Sequence, residues 1–194
     1  MNKKEVLKDG TKVIIRELNM DDLDRLMKFY RTLPEEDRRY LRVDVTNMKV
    51  VEQRIKSAKS ENIFRVIALI DGEVVADGAL ELSTEGWRRH LGELRVIVAR
   101  HFQHRGLGMI MMGELYLLAA SHNVEKVVAK IMRPQLAARA ICRKLGFREE
   151  HLIPDYVKDQ AGQTQDLLIM TCDMKSFWKE LEHLYSDSDW QRCR

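Results

Sequence analysis

Apolar and polar residues alternate along residues 11–18, with Val13 and Ile15 on one face, and this period of two predicts a first strand. After Asp21, a candidate N-cap, the period lengthens and sets Leu23, Leu26 and Met27, then Phe29 and Tyr30, along a helix. Pro34 opens a second, strongly charged helical region, and residues 50–59 predict a further helix carrying Val51, Ile55 and Ala58 on one side. Residues 64–70 and 74–82 are β-rich runs separated by Asp71-Gly72, a two-residue hairpin signal. Residues 84–90 read as a loop and residues 91–99 as a strand. From Gly106 the period is helical again, with Leu107, Ile110, Met111, Leu115 and Leu118 facing inward as far as Asn123, which suits a C-cap. Residues 124–132 predict a strand. Pro134 then opens a helix that runs to Leu145 and stops at Gly146. Phe147 starts a further strand or bend, residues 166–172 give the last clear strand, and residues 174–184 an amphipathic helix before a polar tail.

This order is a mixed α/β (α+β) pattern, and a hairpin beside a strand–helix–strand crossover means the sheet cannot be wholly parallel. There are no repeats and no linker-like stretches. Residues 1–194 therefore read as a single domain, with 174–194 its terminal helix and tail.

Composition narrows the function. With 45% hydrophobic and 32% charged residues the chain has the mix of a globular protein. The net charge of +3, spread among 30 acidic residues, argues against a nucleic-acid partner while still suiting an anionic ligand. No run reaches the ~18 apolar residues of a membrane helix, and residues 109–120 are broken by Glu114. The basic start is followed by no apolar core, as a signal peptide would require. Three cysteines without metal or CxxC spacing predict reduced thiols in the cytoplasm, and six scattered histidines predict no metal site.

The informative stretch is Gln103-His104-Arg105-Gly106-Leu107-Gly108 between a strand and the helix beginning near Met109. Two glycines let the backbone approach a ligand, and the first amides of a helix have no partner within it. The helix dipole favours an anion there, to which Arg105 and His104 add charge. A dinucleotide fingerprint needs a small residue where Met111 stands, and a phosphate loop of the Walker type needs a Gly-Lys-Ser/Thr ending that is absent. Two glycines alone are equally consistent with a mere turn.

The whole segment, however, resembles the Q/R-x-x-G-x-G/A pyrophosphate loop of the GNAT superfamily of N-acetyltransferases. The preceding strand, the apolar helix, the next strand and a helix ending Arg143-Lys144-Leu145-Gly146-Phe147 follow in that family's order, over roughly residues 11–173. The resemblance implies a mostly antiparallel sheet with helices on both faces and a splayed central strand pair. It implies an acyl-CoA co-substrate, by default acetyl-CoA, and an amine acceptor, with a homodimer left open. It implies backbone contacts to the pantetheine arm at Val96, Ile97 and Val98, and pyrophosphate contacts from the amides of His104 through Met109. Residues 29–42 and the strand Gly92-Glu93-Leu94-Arg95-Val96-Ile97-Val98 look most like the bacterial protein-lysine acetyltransferase type.

Acyl transfer to an amine needs a base, because the amine is protonated near neutral pH. Strand alternation puts Glu93, Arg95 and Ile97 opposite Leu94, Val96 and Val98. The resemblance gives Glu93 the base's role; spacing alone is as well met by a surface carboxylate paired with Arg95 or Arg88. Many relatives carry an asparagine and an acidic tyrosine where this chain has Gln135 and Cys142. Cys142, Tyr156 and water remain as candidate acids. Gln135, Arg139 and Cys142 share one helix face, so Gln135 could bond the pantetheine and Arg139 a phosphate. The acceptor pocket is expected from loops and helices near the N-terminus and from residues 83–90 and 151–164. Arg38, Arg39 and Arg42 either favour an acidic partner or only solvate a helix. A non-catalytic acyl-CoA-binding module is the competing function.

Overall fold

The computed structural model describes residues 2–57 and 60–186. Eight strands form one sheet: β1 (Asn2–Val6), β2 (Lys12–Glu17), β3 (Ile63–Ile70), β4 (Glu73–Leu82), β5 (Leu91–Val98), β6 (Lys126–Met132), β7 (Arg148–Lys158) and β8 (Thr164–Asp173). Their spatial order is β1-β2-β3-β4-β5-β6-β8-β7, antiparallel at every step except β5 beside β6. Among the described residues six α-helices cover it: α1 (Leu23–Thr32), α2 (Glu35–Arg38), α3 (Met48–Ser57), α4 (Leu107–Ser121), α5 (Leu136–Lys144) and α6 (Met174–Ser186).

Strand alternation sorts the core into two layers. Val66, Ala68, Leu80 and Leu94 face α4 and α6, whereas Ile67, Leu69 and Val74 face α1 and α3. Helix α4 is apolar nearly all round because it is covered twice, by β3, β4 and β5 below and by α6 above. Its buried Glu114 takes a 2.6 Å ion pair from Lys3 of β1.

Two expectations need correcting. The first strand in the chain is β1, which runs antiparallel to β2; its residues are nearly all exposed, so no apolar alternation marks it. Asp21 is not the cap: Asn19 accepts from the Asp21 amide, and Asp22 returns a bond to the Asn19 amide in a 3-10 turn ahead of α1. The strand or bend expected from Phe147 is the edge strand β7, and residues 151–164 take in most of it, the turn at 159–163 and the first residue of β8. Ala58 lies outside the described residues.

Candidate active site

The parallel pair β5/β6 holds for only three rungs, Leu91 with Lys126, Gly92 with Val127 and Glu93 with Val128. Beyond Glu93 the two strands part: β5 stays with β4 as far as Val98, while β6 follows β8 to Met132. Main-chain directions alternate along a strand. Since Ala99 donates to Val75 O on the β4 side and His90 O accepts from the β6 side, the odd residues of β5 serve β4 and the even ones face the gap. Val96 and Val98 therefore present their main chains to the opening. Ile97, also expected there, turns its main chain to β4 opposite Asp77 and its side chain to the α1/α3 layer.

At the end of β5 the chain makes a 3-10 turn at Arg100–Phe102, and Gln103 Nε2 donates back to Val98 O at 3.0 Å. His104 then has φ 62° and Gly106 φ 88°, which folds the loop into a cup at the start of α4. No side chain caps this helix. Its opening amides, with the dipole behind them, form an anion seat. Met109 belongs to it less than expected, because its amide donates to Gly106 O at 3.0 Å. The Arg105 side chain is committed elsewhere too: it pairs with Asp9 at 2.9 Å and lies over the Phe102 ring, fastening the β1–β2 turn to the loop. Its amide remains part of the cup.

Glu93 stands at the last shared rung, on the α1/α3 face, with its side chain 13% exposed. Neither Arg95 nor Arg88 is its partner. Arg42 donates to Oε1, and Lys130 Nζ lies 3.0 Å from Oε2. Arg95 bonds Glu81 instead, and Arg88 pairs with Glu85. Arg42 is brought there because Arg39, three residues earlier, is held by Asp159 and Gln163, and Gln160 Nε2 donates to Leu41 O. The segment 39–42 and the β7–β8 turn thus roof the face of β5 that carries Glu93. Arg39 and Arg42 are structural ties rather than solvated charges.

On the far side of the gap, Gln135 Oε1 accepts from the Met132 amide at 2.9 Å, closing the turn from β6 into α5. Arg139 makes a two-pronged pair with Glu149 of β7, joined by Arg143, so its guanidinium is occupied on that surface. Cys142 is half-buried against the α4/α6 core, and burial pushes its thiol up to about 11. Tyr156 is 63% exposed on the edge strand β7, two strands from the gap.

Sequence patterns left unread a set of charges behind Glu93. Arg65 and Asp77 sit in the middle of the apolar runs of β3 and β4, and charges buried there require partners. Asp77 Oδ2 accepts from Tyr30 at 2.7 Å and lies 3.4 Å from Arg65 and 3.5 Å from Arg54. A lone charge inside a strand-like apolar run was the available signal.

The family profile described as "Acetyltransferase (GNAT) family" matches residues 22–147. The chain belongs to the GNAT family of acetyltransferases. As a GNAT protein it is an N-acetyltransferase that uses acetyl-CoA. No curated protein matches it. Among solved structures it is similar to a ribosomal-protein-alanine N-acetyltransferase from Brucella melitensis, at 24% identity and TM-score 0.70 over 82% of this chain and 98% of that one. It is similar to the GNAT domain of PAT from S. lividans, at 16% identity and TM-score 0.73 over 89% and 96%. It is likewise similar to yncA of Salmonella typhimurium, a putative acetyltransferase solved with acetyl-CoA, at 18% identity and TM-score 0.69 over 84% and 94%. At these identities the structures share the GNAT fold. Among the described residues no helix is long and apolar enough to cross a membrane.

Proposed function

We propose that this GNAT protein moves an acetyl group from acetyl-CoA to a primary amine, on a protein lysine or a small molecule, with Glu93 as general base. One observation carries the reading: β5 leaves β6 directly after Glu93, so the carboxylate stands at the closed end of the gap whose open side shows the main chains of Val96 and Val98. In this reading those main chains hold the pantetheine arm, and the amides of His104 through Gly108 hold the pyrophosphate. Glu93 takes a proton from the acceptor ammonium, and the freed amine attacks the thioester carbonyl directly. The carbon–sulfur bond breaks as the attacking nitrogen gives up its second proton to the departing sulfur, so the amide forms and coenzyme A leaves as the thiol. Lys130 Nζ at 3.0 Å from Glu93 Oε2 supports the assignment, since a primary ammonium already fits that oxygen.

A second reading, a regulatory module that binds acyl-CoA without turnover, is favoured by the same contact, because a carboxylate held by Arg42 and Lys130 is a weaker base. Thiol release from acetyl-CoA with a panel of amines and lysine-bearing proteins separates the two. Turnover that falls about a hundredfold in Glu93→Gln, with calorimetric affinity for acetyl-CoA unchanged, supports the enzyme. Tight binding with no thiol release on any acceptor supports the module, and no binding at all rejects both.

A further inference from the structure

The face of the sheet that carries Glu93 holds more positive than negative charge. Lys130 and Arg42 meet Glu93, Arg95 meets Glu81, and Arg54 and Arg65 share Asp77, so five cations face three carboxylates. Tyr30 does not redress this, because burial and the neighbouring Asp77 hold its hydroxyl protonated. The arginines are near enough to oppose one another: burial, and then the charge of Arg54 among others, bears down on both Arg65 and Arg95 and lowers their pKa. The Nε atoms of Arg54, Arg65 and Arg95 are buried without a protein partner. Like charges gathered in a partly desolvated place are costly unless an opposite charge joins them.

The cluster is also open at one end. Side-chain exposure rises from 4% at Arg65 through 26% at Arg95 to 37% at Arg42 and 38% at Lys130. The accessible end is the one where Glu93 stands. Glu93 and Arg95 lie two residues apart on the same face of β5, a separation of about 6–7 Å. An ammonium on Glu93 would therefore have a guanidinium one side-chain length away.

We propose that the acceptor amine carries a carboxylate within about 6–7 Å of its nitrogen, the amine seated at Glu93 and the carboxylate at Arg95 and Arg42. A free acidic amino acid has this chemistry, and so does a peptide amine beside an aspartate or glutamate. The inference rests on the acetyl-transfer reading given above and names its acceptor class.

The test compares acceptors that differ only in charge: glutamate with glutamine, and lysine peptides that place Glu or Gln next to the lysine. The acidic member of a pair is expected to give kcat/KM higher by about tenfold or more, the contribution of one charge-assisted contact, expressed in KM. Arg95→Gln should collapse that ratio towards one. Glu81→Gln, at a half-exposed site, should raise it by freeing Arg95, an effect that damage to the fold would not produce. A preference confined to the free amino acids assigns a small-molecule acceptor, and one confined to the peptides assigns a peptide. Equal rates for acid and amide overturn the proposal and leave acetyl transfer standing. If no amine turns over, acetyl transfer itself fails, and calorimetric titration with glutarate decides the anion site. Binding weakened about tenfold by Arg95→Gln supports it, whereas no binding to the wild type overturns it.

Discussion

Lys130 Nζ stands 3.0 Å from Glu93 Oε2, and Arg42 closes on the other oxygen of the same carboxylate. Cations this close stabilise the ionised form and weaken the base. Lys130→Gln removes one of them, so the limb of the kcat–pH profile that reports the base should move up by about one pH unit. Glu93→Gln should abolish that limb. A profile that keeps its position in Lys130→Gln would place the titrating group elsewhere.

The two glycines of the loop do different work. Gly106 has φ 88°, where any side chain is strained, and it turns the loop into α4. At Gly108 an added Cβ would lie 3.8 Å from Val98 Cγ2, an ordinary contact. Gly108→Ala should therefore keep its affinity for coenzyme A within about twofold, while Gly106→Ala should weaken it about tenfold or more by opening the cup. Calorimetric titration of the two variants checks this, and equal losses would contradict it.

Elements covered on both sides were legible as long apolar runs bounded by turn residues. Helix α4 and the β3–β4 hairpin, whose Asp71 and Gly72 both have positive φ, are of this kind. Slight burial hid β1, which lies at one edge of the sheet and shows mostly exposed residues. At the site, the loop was legible because its backbone needs glycine. The partners of its charged residues were not. Arg105 finds Asp9, Arg139 finds Glu149 and Glu93 finds Lys130 and Arg42 through tertiary contacts that no local spacing encodes.

Asp77 is the anion that makes the inner cluster tolerable. It accepts from Tyr30 and neutralises Arg54 and Arg65, all three within 3.5 Å. Asp77→Ala would leave two buried guanidinium groups facing one another, at a cost of about 3–5 kcal/mol. Tyr30→Phe removes one hydroxyl and should cost only about 1–2 kcal/mol. Urea unfolding midpoints rank the two, and a milder loss in Asp77→Ala than in Tyr30→Phe would refute this account.

Asp22 governs acid stability. Burial alone would raise its pKa, but two 2.6 Å bonds from Arg16 and the Asn19 amide outweigh it and leave the carboxyl below its ordinary 3.8. A depressed carboxyl contributes stability above its unfolded value, and that contribution is lost as pH falls through the lower folded value. Asp22→Asn should thus destabilise the fold by about 1–3 kcal/mol near neutral pH and flatten the stability curve below pH 3.8. Thermal melts between neutral pH and about pH 2 measure it. Parallel wild-type and mutant curves throughout would mean another carboxyl carries the acid limb.

Gln103 joins the strand to the loop, and the chemistry of its single contact makes a sharp test. Its Nε2 donates to Val98 O at 3.0 Å, so the side chain both ties the 3-10 turn at Arg100–Phe102 back to β5 and occupies a carbonyl that points into the gap. What the contact requires is a donor of the right reach. Gln103→Arg supplies one and adds positive charge beside the anion seat, so coenzyme A should bind as well as to the wild type or better. Gln103→Glu is nearly the same size but cannot donate when ionised. It would set a carboxylate against the Val98 carbonyl and near the pyrophosphate, and affinity should drop about tenfold to a hundredfold. Raising the ionic strength should narrow the gap between the two variants, because part of it is electrostatic and screened. If Gln103→Glu binds coenzyme A as well as Gln103→Arg does, the tie to Val98 does not shape the cup and the loop holds its form through Gly106 alone.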